Sequence, residues 1–141
     1  MNQMQELASV EAQQSALFTV LTELFVNALD HGVLKLASEL KAGRNGFEAY
    51  MDERARRLAK LADGWVSIVI SAQAAQNALE ITVTDSGGGF DVDAYYQASA
   101  LASSSGEPRT YGRGIALVRA LCETVEHEQA GAMTKATYRW R

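Results

Sequence analysis

The sequence predicts an α/β sandwich (α+β), with helices on one face of a mixed, mostly antiparallel sheet. Three observations predict it. An early stretch free of Gly and Pro repeats apolar residues at helical spacing. Two runs in the middle of the chain alternate with period two, and the short connection between them suits an antiparallel hairpin. A further helical pattern and a last alternating run close the chain. At 141 residues there is length for one core and little for two, so residues 1–141 are expected to form a single domain.

The first helix is expected over residues 5–30. Leu17, Leu21, Leu24 and Ala28 recur at helical spacing, Phe18, Phe25 and Leu29 lie beside them, and Gly32 reads as the stop. A more polar helix is expected over residues 47–62, after a loop at 41–46 and before Asp63-Gly64. In the first strand, 65–71, Val66, Ile68 and Ile70 alternate with Trp65, Ser67, Val69 and Ser71. In the second, 79–85, Leu79, Ile81 and Val83 alternate with Glu80, Thr82 and Thr84. A Gly-rich turn and a polar stretch holding Pro108, the only proline, lead to a third helix over 115–126 and a last strand over 133–140. Cys122, Trp65 and Trp140 read as packing residues, and His127 as an exposed residue following a helix.

Composition narrows the function. Hydrophobic residues make up 48% and charged residues 21%, ordinary for a soluble globular protein. The net charge of −4 argues against non-specific binding to nucleic acid. No run approaches the roughly 18 apolar residues of a membrane span, and the N-terminus lacks a signal pattern. One cysteine and two histidines exclude an internal disulfide and a Cys/His zinc cage. The expectation is a reduced, cytoplasmic domain. Residues 41–60 hold six basic residues against three acidic ones, read as a solvated helix face or as a docking surface for an acidic partner.

Three patches carry chemistry. Glu23, Asn27 and Asp30 fall within about 60° of helix circumference. An amide oxygen there suits a hard cation, and a carboxylate one turn away can orient or deprotonate a hydroxyl. Asp85-Ser-Gly87-Gly-Gly89 directly follows a strand, where a carboxylate can accept from an exocyclic amine and glycines allow close approach. Tyr111-Gly112-Arg113-Gly114-Ile-Ala-Leu117 opens a helix whose free N–H groups favour phosphate oxygens, with Arg113 as a fixed cation. Each patch also has a plain structural reading: a solvated stripe, a hairpin turn, a flexible helix start. A dinucleotide fingerprint fails because Leu117 stands where its third Gly belongs, and no phosphate loop ending in Gly-Lys-Ser/Thr is present.

In this order, the patches resemble the GHKL ATPase/kinase superfamily, which uses the Bergerat ATP-binding fold. Its N box matches Glu23 and Asn27, its Asp-x-Gly-x-Gly box Asp85, Gly87 and Gly89, its Gly-x-Gly-x-x-Leu box Gly112, Gly114 and Leu117, and its late strand Thr matches Thr134. The resemblance covers about residues 17–140. Asn27-Ala-Leu-Asp30-His31-Gly is similar to the signature of the bacterial anti-sigma-factor serine/threonine kinase branch, notably the domain found at the C-terminus of response-regulator proteins with a central phosphatase.

The resemblance implies an ATP- and Mg2+-dependent kinase acting on a Ser or Thr of a STAS-domain antagonist, with a sigma factor and a homodimer as further expected partners. It implies Glu23 as base, Asn27 as the magnesium ligand, and Asp85 with Thr134 at the adenine amine. Gly87 and Gly89 would allow close approach to the base, and Gly112, Arg113 and Gly114 would face the phosphates. Asp30, His31 and Leu117 are counted with the nucleotide-binding residues. His31 has three open readings: support for Glu23, a place at the phosphate end, or a satisfied helix-end histidine. Residues 90–111 would form the lid. The family usually has a strand and helix before its N-box helix, so an excised domain, or a sheet lacking an edge strand, is expected. Two other readings are a sensor histidine kinase catalytic domain and a non-catalytic, ATP-holding module that sequesters a partner.

Overall fold

The computed structural model describes residues 2–37, 45–88 and 114–140. Gly89, Gly112 and Arg113, and the stretch expected to form a lid, lie outside the described residues.

Helix α1 spans Gln3–Asn27. It begins two residues earlier than its apolar pattern because Asn2 and Gln5 form a reciprocal capping box: Gln5 N–H donates to Asn2 Oδ1 at 2.9 Å and Asn2 N–H to Gln5 Oε1 at 3.1 Å. Its buried face carries Val20 and Leu24, with Leu17 and Leu21 partly buried beside them, whereas Phe18 and Phe25 are exposed. The helix does not stop at Gly32. It widens into a π-helix over Ala28–Val33, closed by Leu34 N–H on the Leu29 carbonyl at 2.8 Å. The wider turns rotate Asp30 out of the Glu23–Asn27 stripe, a local device often met at functional sites.

Helix α2 spans Gly46–Lys60. Strands β1 (Val66–Gln73) and β2 (Ala78–Asp85) form the expected antiparallel hairpin, turned by a 3₁₀ segment and a left-handed Asn77. Helix α3 spans Gly114–Leu121, β3 Thr124–Glu128 and β4 Met133–Arg139. The sheet order is β1-β2-β4-β3, and every pairing is antiparallel among the described residues. The third helix is therefore shorter than expected, and its expected tail is an edge strand. Glu123 N–H donates to the Thr137 carbonyl at 2.8 Å, and residues 124–128 pair with β4, which satisfies their backbone groups there.

One sheet face is covered by α1 and α3. Ile81 and Val83 of β2 and Ala136 and Tyr138 of β4 meet Val20, Leu24, Ala28, Ile115 and Val118 in one core, which also holds Cys122. Burial pushes the Cys122 thiol up to about 11. Strand β1 is exposed on both faces beyond Val66, and Trp65, expected to pack, is 54% exposed just before it. Trp140 does pack at the core's edge. A second, smaller cluster joins Leu34, Leu36 and Tyr50, and so ties α2 to the end of the π-helix.

Candidate nucleotide site

The end of the first helix and the end of β2 interlock without room for a side chain. A Cβ on Gly32 would overlap the Asp85 carboxylate, and one on Gly87 would overlap the Gly32 backbone. These two glycines are required by close approach of one segment to the other. The Asp85 carboxylate is thereby buried and accepts from the Gly87 N–H at 2.8 Å. Burial holds its carboxyl above the usual range, against the opposing pull of the Gly87 N–H and the Lys35 ammonium. Lys35, at a left-handed φ of 56°, reaches back so that Nζ donates to the Gly87 carbonyl. No local sequence pattern marks Lys35 for this position.

Asp85 opens into a narrow cavity between α1, the sheet and α3. Asn27, Asp85, His127 and Thr134 supply its polar lining, and Leu24, Ala28, Val83 and Ile115 its apolar walls. Its volume is about 10 Å³, room for one water. Thr134 faces Val83 across one ladder and His127 across the other, and its buried hydroxyl lies 3.0 Å from His127 Nδ1. Sequence reasoning set His127 aside as exposed, but it is half-buried in the cavity wall. Its signal was the alternation of Val125 and His127 with Thr124, Glu126 and Glu128, masked by being read as a helix tail.

At the other end, α3 begins against α1. A Cβ on Gly114 would overlap the Glu23 carboxylate and come within 3.7 Å of Asn27 Oδ1. The structure thus brings together Glu23, Asn27, Asp85, Gly114 and Thr134, which lie far apart in sequence. Gly87 joins them through Asp85, whereas Asp30, His31 and Leu117 lie elsewhere. Asp30 is buried and faces α2, accepting from Tyr50 Oη at 2.6 Å and Arg54 Nε at 2.8 Å. His31 Nδ1 lies 2.6 Å from the Leu36 carbonyl, which can only accept, so the ring carries its proton there and pins the chain after the π-helix. Leu117 is 45% exposed on the outer side of α3. Neither Asp30, His31 nor Leu117 lines the cavity.

No helix among the described residues is long and apolar enough to cross a membrane. No curated protein and no solved structure gave a match to the chain. The family model described as the histidine kinase-like ATPase domain matches residues 3–140, essentially the length over which the helix–sheet–helix arrangement and its glycine contacts are laid out; the chain belongs to that family, as an ATP-binding module of the GHKL type.

Proposed function

We propose that the protein is a Mg-ATP-dependent serine/threonine protein kinase of the anti-sigma-factor type, acting on a small STAS-domain antagonist. A sigma factor and a second copy of the chain are proposed as further partners. The observation that carries the reading is the convergence of three sequence boxes. Glu23 stands against Gly114, and Asn27, one turn along α1, lines the same cavity as Asp85 and Thr134.

The residues fit the nucleotide. A buried carboxylate and a hydroxyl stand together for an exocyclic amine, and Leu24, Val83 and Ile115 offer an apolar wall for a ring. The start of α3 beside the Glu23–Asn27 pair suits the phosphates. The cavity holds a water rather than a purine, so base binding requires the base to rest at its opening or the α1 and α3 walls to part. The residues also suit magnesium. Magnesium keeps several waters and phosphate oxygens and takes few oxygen ligands from a protein, and the Asn27 amide oxygen stands beside the Glu23 carboxylate. When bound, the ion offsets charge on the phosphoryl oxygens.

Within this reading Asn27 holds the ion, Asp85 accepts from the adenine amine, and Glu23 takes the proton of the incoming hydroxyl. Purified protein with Mg-ATP is expected to label a cognate STAS-domain partner, and Glu23→Ala to lose transfer, by about 10²-fold or more, while keeping nucleotide affinity. Unchanged transfer by Glu23→Ala would remove the base assignment. Acid-stable phosphate supports serine or threonine as acceptor. Acid-labile phosphate would instead point to histidine, and binding without transfer to a sequestering module.

A further inference from the structure

We propose that His127 is a positioning residue for base selection: it turns the Thr134 hydroxyl so that Thr134 and Asp85 both present acceptors to the base and read an amino-purine. The inference rests on the nucleotide reading of this cavity. It assigns a role to a side chain that the sequence motifs do not include.

The argument begins with one hydrogen. A threonine hydroxyl has a single proton and two lone pairs, and its partner decides which way the proton points. Thr134 Oγ1 lies 3.0 Å from His127 Nδ1, and the two residues are directly paired across the β3–β4 ladder, so the contact is fixed by the backbone. Both line the cavity together with Asp85. Burial, and then the charge of Arg119 on α3, hold the His127 ring below the usual histidine range, so it is neutral at physiological pH.

In the proposed role the neutral ring is the tautomer with its proton on Nε2, so that Nδ1 accepts the Thr134 proton. The hydroxyl's lone pairs are then left for the cavity, beside the Asp85 carboxylate. Two acceptors side by side match the two hydrogens of an exocyclic amine. They reject a base that carries a carbonyl oxygen at the same place, because acceptors would face an acceptor with no proton between them. Without His127, the Thr134 hydroxyl is free to turn its proton into the cavity and satisfy that oxygen. His127 is thus expected to act on discrimination more than on overall affinity.

The test is calorimetric titration of the intact chain with ATP and with inosine triphosphate, which bears oxygen where ATP bears the amine. Wild type is expected to prefer ATP. His127→Ala is expected to narrow that preference by about fivefold, the worth of one hydrogen bond. His127→Asn, whose amide oxygen can take the place of Nδ1, is expected to restore it to within about twofold of wild type. In a Thr134→Val background, His127→Ala is expected to change the preference no further. Should His127→Ala not fold, Thr134→Val alone must narrow the preference. An unchanged preference in His127→Ala or in Thr134→Val, or a loss that persists in the Thr134→Val background, overturns the role of His127 and leaves ATP binding standing. A wild type that binds neither nucleotide overturns the nucleotide reading and this inference with it.

Discussion

The Asp85 carboxylate is buried, accepts from the Gly87 N–H and lies near the Lys35 ammonium, yet burial outweighs both and keeps its carboxyl above the usual range. The folded chain therefore holds this proton more tightly than the unfolded chain does. The stability it contributes is fully present below the unfolded value of about 3.9 and is lost as pH rises through the folded value. Asp85→Asn keeps an oxygen for the Gly87 N–H and removes the desolvated charge. It is expected to melt above wild type at neutral pH, with a flatter stability–pH profile from about pH 4 upward, and to lose ATP affinity. Thermal melts across pH check this, and a lower melting point for the variant at pH 7 would contradict it. Asp85 and Thr134 were legible because each sits in a short motif whose chemistry can be stated residue by residue. Lys35 and His127 were not, because their places depend on which distant segment lies beside them. Lys35 meets Gly87 only after the π-helix turns the chain back, and His127 meets Thr134 only once β3 is known to be a strand.

Among the elements, the π-helix and α2 are joined by charge as well as by apolar contact. Asp30 is 2% exposed and is held by Tyr50 and Arg54, while Arg57 donates to the Leu34 and Lys35 carbonyls at 2.7 Å each. Part of the basic excess of residues 41–60 is thus spent inside the molecule. Arg56 differs: it is an exposed side chain that pairs with Glu53 on the same helix, and together with Arg57 it holds the Glu53 carboxyl down to about 2. Arg54→Ala leaves a buried carboxylate with Tyr50 as its remaining partner in that pair of contacts, and is expected to cost about 2 kcal/mol in denaturant unfolding. Arg56→Ala is expected to cost nothing measurable, because water solvates what it releases. Equal losses would mean that Asp30 does not anchor α2. The sequence pattern found α1, the hairpin and β4 because each has a periodic apolar face. It missed the π-helix, since little more than one turn of i→i+5 bonding over six residues leaves no periodicity to read, and it missed β3, since Thr-Val-Glu-His-Glu becomes a strand only where β4 offers an edge.

Across the whole molecule, the cavity lies where α1, β2, α3 and the β3–β4 pair meet, so a nucleotide bound there ties together segments from both halves of the chain. Helix α1 contributes Asn27, β2 Asp85 and the β3–β4 pair His127 and Thr134, and the three-way fit of Gly32, Asp85 and Gly87 fixes the Asp85 end independently of the ligand. Ligand binding to the folded state alone stabilises it by mass action, about 2.7 kcal/mol at a concentration one hundred times Kd. For a domain of this size that corresponds to a rise in Tm of about 10 °C. ATP with magnesium is expected to give that rise, magnesium without nucleotide none. Asn27→Ala is expected to keep the part that ATP gives in the presence of chelator and to lose the increment that magnesium adds, because the proposed function gives the amide to the ion and leaves the base to Asp85 and Thr134. Thr134→Val is expected to do the reverse, reducing the shift with and without the ion. The two variants separate the ends of the site: if both erase the same part of the shift, the cavity is not organised with the base at Asp85 and the phosphates at Asn27, and a melt with no response to millimolar ATP would set aside nucleotide binding at this junction altogether.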